Sequence, residues 1–128
     1  MKHHVLVLDD EAGVRTAIRL QLKDTRFDVL EAENVQHAIA FLRDNAISID
    51  VIICDVRMPG VSGVEAVASF QRDYATTPVI VLTGFPDVAL AVDFMKKKDV
   101  VDYLVKPVEK AKLIAAIEQA ARERKLFG

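Results

Sequence analysis

Five short apolar runs, separated by stretches of helical period, are the feature that most limits how this chain folds. The runs occupy residues 5–8, 27–32, 51–54, 79–82 and 101–105. Strands that alternate with helices in this way build βαβ units and a parallel sheet. Right-handed crossovers then leave few topologies. The expected class is α/β, a doubly wound (βα)5 sheet with helices on both faces. At 128 residues the whole chain, 1–128, is expected to form one domain with a core of useful size.

The helical stretches carry their own signals. The first, over residues 12–24, puts Val14, Ala17, Ile18 and Leu22 on one face. Asn34 precedes a helix that turns Ala38, Ile39 and Leu42 inward, and it suits the N-cap position. Ser62-Gly63-Val64-Glu65 has the spacing of a capping box and starts the third helix. The fourth and fifth helices are expected over residues 86–98 and 108–124. No repeat, low-complexity tract or linker interrupts this order.

Chemistry collects at the downstream ends of the runs. Asp9-Asp10-Glu11 follows the first, Asp55 the third and Thr83 the fourth, while Lys106-Pro107 follows the fifth. In an open parallel sheet those ends share one edge, where ligands bind. The edge would hold clustered carboxylates, a hydroxyl and one ammonium. Carboxylates so crowded repel one another, and an all-oxygen cluster suits Mg²⁺ rather than a softer metal. A lysine and a hydroxyl facing that cation provide the charge neutralisation that a transferred phosphoryl group requires. The set reads as an aspartate that accepts a phosphoryl group. Asp55 is the expected nucleophile, because it ends a continuous apolar run of the central-strand kind and the next helix has its own cap. Asp10 can also cap the first helix, with Glu11 complementing its dipole.

In these pieces, in their order and at strand ends, the chain resembles the receiver domains of two-component response regulators, of the chemotaxis-regulator kind. The matching segments are Asp9-Asp10-Glu11, Asp55-Val56-Arg57-Met58-Pro59-Gly60 with Gly63, Thr83-Gly84, and Tyr103-Leu104-Val105-Lys106-Pro107. The likeness covers essentially the whole chain and implies a flavodoxin-like sheet of strand order 2-1-3-4-5. It implies Mg²⁺ held by Asp10 directly, by Asp9 directly or through water, by Asp55, and by the backbone carbonyl of Arg57, with Glu11 in support. It further implies a Thr83 hydroxyl that bonds the phosphoryl group along a path cleared by Gly84. Lys106 is then turned into the pocket by a cis peptide to Pro107, and Tyr103 moves inward when Thr83 engages. A sensor histidine kinase is the implied partner. The domain would catalyse only its own aspartyl phosphorylation and dephosphorylation, so it is not expected to be a turnover enzyme. One stretch departs from the family: many receivers have a Gly-Ala pair where this chain has Lys97-Lys98-Asp99, and residues 91–102 run about one residue long.

Two other readings fit parts of the pattern. A haloacid-dehalogenase-like phosphatase also combines Asp, Ser/Thr, Lys and Mg²⁺, but it needs a second acid two residues after the nucleophile, where this chain has Arg57. A flavodoxin-like cofactor binder wants a Ser/Thr/Gly-rich first loop, and Asp-Asp-Glu would repel a phosphate there. A net charge of −2 gives no basis for direct nucleic-acid binding. The single Cys54 rules out an intrachain disulfide, fits a reducing compartment, and reads as an inert core thiol. With no run of membrane-span length and no room for a leader before the first strand, a cytoplasmic protein is expected. His3, His4 and His37 read as solvated surface residues, and Lys96–Lys98 as a helix end favoured by the dipole.

The fourth helix is expected to carry the output surface. Val88, Ala91, Val92 and Met95 recur at core spacing, which leaves Leu90 and Phe94 exposed beside Tyr103 and the fifth helix. Such a surface, made by the fourth helix, fifth strand and fifth helix, would dock an output partner or a second copy of the chain. The kinase, the signal and the output are not legible in the sequence.

Overall fold

Successive strand residues send their side chains to opposite faces of the sheet, and in this protein both sets are buried. Val5, Val7, Val51, Ile53, Ile80 and Leu82 belong to one apolar cluster, and Leu6, Leu8, Ile52, Cys54, Val79 and Val81 belong to another. A sheet apolar on both faces must be covered on both, as parallel α/β sheets are. The computed structural model describes residues 3–45, 48–57, 63–96 and 100–123.

The elements run β1 (His3–Leu8), α1 (Ala12–Gln21), β2 (Phe27–Ala32), α2 (Val35–Asn45), β3 (Ile49–Cys54), α3 (Gly63–Asp73), β4 (Val79–Thr83), α4 (Val88–Lys96), β5 (Asp102–Val105) and α5 (Lys110–Glu123). All strand pairs are parallel, and the sheet order is β2-β1-β3-β4-β5, the order implied by the family resemblance. Ile18 and Leu22 from the α1 segment and Leu113 and Ile117 from α5 complete the first cluster. Ala38 and Leu42 from α2, Val67 and Phe70 from α3, and Phe94 from α4 complete the second.

Several local expectations shift. The first helix ends at Gln21 rather than residue 24, and Asp24 takes φ 65° in the turn that follows. Asp is among the few non-glycine residues that visit this region readily. Ala17 is exposed rather than inward, while Val14 is half-buried. Asn34 does cap α2, accepting a hydrogen bond from the His37 N–H at 2.8 Å. Ser62, expected to cap the third helix, lies outside the described residues together with Met58, Pro59 and Gly60, as do Lys97, Lys98 and Asp99. Gly63 opens α3 against the backbone of Val56, where a Cβ would overlap main-chain atoms. Only glycine fits this approach, which brings α3 close behind the end of β3.

Candidate functional site

The ladder hydrogen bonds continue one residue past β1 and β3. The Asp9 N–H donates to the Ala32 carbonyl and the Asp55 N–H to the Leu8 carbonyl, each at 3.1 Å. Both acids are thereby locked to the sheet edge, at 2% and 4% exposure. Each carboxylate is then held at both oxygens. Asp9 Oδ1 accepts from the Glu11 N–H at 2.9 Å, and Asp55 Oδ1 from the Arg57 N–H at 2.8 Å. Lys106 Nζ donates to Asp9 Oδ2 at 2.7 Å and to Asp55 Oδ2 at 2.9 Å.

Lys106 reaches this position because β5 delivers it. Its N–H donates to the Thr83 carbonyl at 2.8 Å, and the Lys106–Pro107 peptide is cis. Burial alone would lower the lysine pKa, but the hydrogen bonds to Asp9 and Asp55 more than reverse this and hold it above its ordinary value. Burial pushes Asp9 up, although its bonds to Lys106 and the Glu11 N–H pull the other way. The nearby Asp55 charge adds to the rise.

Asp10 and Glu11 complete the cluster from the exposed side. One ligand oxygen from each of Asp9, Asp10, Glu11 and Asp55 lies within 4.8 Å of the others. Lys106 bonds two of these four carboxylates, Asp9 and Asp55, and an all-oxygen donor set of this kind fits a hard divalent cation. Glu11, expected only in support, brings an oxygen into the same group as the aspartates. The helix-capping role considered for Asp10 is not seen: Glu11 occupies the N-cap of α1, with no side-chain cap bond.

Thr83 is fully buried, and its hydroxyl oxygen accepts from the Phe85 N–H at 3.1 Å. A Cβ at Gly84 would meet Lys106 Cδ at 3.8 Å, an ordinary contact. Tyr103 is half-buried against the α2–α4 side, and its hydroxyl accepts from the Asp87 N–H at 3.3 Å. The loop after β4 is thus bonded to a site hydroxyl at Phe85 and to the β5 tyrosine at Asp87. The Arg57 guanidinium carbon lies 5.1 Å from the centre of the exposed Phe85 ring.

Sequence and fold both match known proteins. The family model of the response regulator receiver domain matches residues 5–118. The chain belongs to this family. It is 35% identical over 122 residues to the transcriptional regulatory protein FixJ of Bradyrhizobium diazoefficiens, covering 95% of this chain and 58% of that protein. It is 31% identical to the chemotaxis protein CheY of Listeria monocytogenes, covering 92% of this chain and 98% of that one. A receiver domain protein from Clostridium thermocellum superposes with a TM-score of 0.86 at 32% identity over 94% of both chains. The receiver spans little more than half the length of its FixJ relatives.

The fourth helix of this receiver is turned differently from the expectation. Phe94, expected to be exposed, is 2% exposed and packs in the core, and Leu90 is half-buried beside it. Val88, Val92 and Met95, the expected core stripe, face outward at 77%, 58% and 45% exposure. The sequence VALAVDFM is apolar nearly all round, so its period cannot decide which side the sheet takes. Ala91, Val92, Met95 and Tyr103 line an open groove there instead.

Other residues settle more simply. His37 is exposed and stacks on Phe41. His3 and His4 are not freely solvated: their ring Nδ1 atoms lie 3.3 Å from Asp50 Oδ2 and 3.2 Å from the Ser48 carbonyl. Cys54 is fully buried, and burial raises its thiol pKa far above the ordinary range. Among the described residues no helix is long and apolar enough to cross a membrane. Sequence reasoning passed over Asp87, whose Oδ1 accepts from the Leu90 N–H at 3.0 Å and caps α4. An Asp at the start of an apolar helical stretch was the available signal. It also passed over Arg15, which no linear pattern marks.

Proposed function

We propose that this receiver accepts a phosphoryl group on Asp55 from the phosphohistidine of a sensor histidine kinase and relays the change to the face made by α4, β5 and α5. The observation that carries this reading is the single lysine that bonds two buried carboxylates at adjoining strand ends. Asp9, Asp10, Asp55 and the Arg57 carbonyl would hold Mg²⁺. When bound, the cation supplies charge neutralisation for the phosphoryl oxygens.

An Asp55 oxygen attacks phosphorus as the bond from phosphorus to the donor imidazole nitrogen breaks, and the electron pair leaves with that nitrogen. Lys106 exchanges a carboxylate partner for a phosphoryl oxygen and so stabilises charge where it develops. Thr83 can donate its hydroxyl proton to another, and the loop carrying Phe85 and Asp87 follows it. Asp87 is bonded to Tyr103, which gives the loop a route to the aromatic. The change is then a shift in the population of two arrangements of the loop and ring. The domain acts catalytically on itself alone and works in the cytoplasm beside its kinase. Its output goes to a partner or attached domain, or to a second copy docked through the same face, without direct nucleic-acid contact by the receiver.

Intact-mass measurement after treatment with a small acyl phosphate and Mg²⁺ tests the reading. One phosphoryl adduct is expected on the wild type and none on Asp55→Asn. An unchanged adduct on Asp55→Asn would overturn the assignment.

A further inference from the structure

The Asp9–Asp10 peptide is gripped from behind by a side chain outside the site. Arg15, one turn into α1, donates from Nη1 to the Asp9 carbonyl at 2.6 Å and from Nε to Glu31 Oε1 at 3.1 Å. Arg19 occupies the other oxygen of Glu31, with Nη2 at 2.7 Å and Nε at 3.0 Å, and also donates to the Val29 carbonyl at 3.2 Å. The chain of contacts runs Arg19, Glu31, Arg15, Asp9. The Arg15 side chain is 13% exposed, so this is a packed contact.

We propose that Arg15 is a positioning residue for the divalent-cation site: anchored by Glu31, it fixes the peptide plane between Asp9 and Asp10 and so the direction of both carboxylates. This rests on the reading of the acidic cluster as a cation site. The peptide is planar, so the direction of the Asp9 carbonyl dictates that of the Asp10 N–H and the path of the chain on either side. The Asp9 N–H is already tied to β2 at Ala32, and Arg15 ties the other side of the residue to β2 at Glu31. Asp9 has further restraint from Lys106 and Glu11. Asp10 belongs to neither β1 nor α1 and is exposed, so its direction depends on that plane.

Glu31 has a second effect. It offsets the Arg15 charge, which would otherwise stand beside the cluster as a rival cation for Asp10 and Glu11. Groups that orient metal ligands from outside the coordination sphere commonly change metal affinity by one to two orders of magnitude.

The test is Mg²⁺ titration of the full chain, followed by calorimetry, with the melting temperature measured separately in chelator. The Arg15→Gln/Glu31→Gln double variant removes both charges together, so local net charge is unchanged and the affinity reports positioning. It should bind Mg²⁺ about tenfold more weakly than wild type, while its metal-free melting temperature moves only slightly. Glu31→Gln alone should bind at least as weakly, because Arg15 is then free to compete. Arg15→Lys should fall between wild type and the double variant, since one ammonium lacks the fork that reaches both Asp9 and Glu31. A double variant that binds within about twofold of wild type would overturn the proposal. Should the double variant not fold, Arg15→Lys decides alone, and wild-type affinity there overturns it. If the wild type binds no Mg²⁺, the cation-site reading itself falls, and this proposal with it.

Discussion

Arg57, two residues past Asp55, and Phe85, two past Thr83, meet in a cation–π contact, the guanidinium carbon 5.1 Å from the ring centre. Hydrolysis of an aspartyl phosphate needs a water held in line by a polar group. The resemblance to receivers implies that the positions two past Asp55 and two past Thr83 are the ones that would hold it; here they are the paired Arg57 and Phe85, and neither side chain offers a carboxylate or amide. The phosphorylated state should therefore persist for minutes or longer. Phe85→Glu or Arg57→Asn should speed loss of the adduct in Mg²⁺. Quenched time courses read by mass would show it, and a wild-type lifetime of seconds would refute it.

Lys106→Met should destabilise the metal-free protein by about 3 kcal/mol at neutral pH. Removing one partner of a buried ion pair leaves the other charge uncompensated, and here two carboxylates at 3% and 4% side-chain exposure lose it together. Mg²⁺ should then restore more stability to the variant than to wild type. Urea melts with and without Mg²⁺ make the comparison.

Glu31 should contribute stability with a defined pH dependence. Hydrogen bonding from Arg19, then Arg15, outweighs its partial burial and lowers its pKa below 4.5. A carboxylate depressed on folding contributes fully above its unfolded pKa, and that contribution fades as pH falls through the folded value. The gap between wild type and Glu31→Gln should be about 1 kcal/mol or less at pH 7, as is usual for pairs near the surface. It should close in acid. A gap that widens as pH falls below 4.5 would contradict the assignment.

On α4 the two faces should separate cleanly. Phe94→Ala should cost about 3–5 kcal/mol of stability, the usual penalty for emptying a buried aromatic site. Val92→Lys should change stability by about 0.5 kcal/mol or less yet weaken association of the beryllofluoride-treated protein. Sedimentation velocity and urea denaturation read the two effects. Unaltered association in Val92→Lys would remove this face as the docking surface.

Much of the molecule follows from local patterns. Val5–Leu8, Val51–Cys54 and Val79–Leu82 are buried on both faces because their residues are uniformly apolar, so the parallel, doubly covered sheet is legible in the sequence. The convergence of Asp9, Asp55 and Lys106 was legible too, because strand ends in such a sheet share one edge. What the tertiary structure alone decided is orientation. An all-apolar helix such as α4 has no polar stripe to choose its buried side, and packing against the sheet put Phe94 in and Val92 out. The Arg15–Glu31 pair bridges 16 residues and exists only because α1 lies beside the end of β2. The cation–π contact of Arg57 with Phe85 likewise joins loops after different strands. Periodicity and strand ends are properties of neighbours in sequence, whereas a helix's rotation and a side chain's distant partner are set only when separate elements pack.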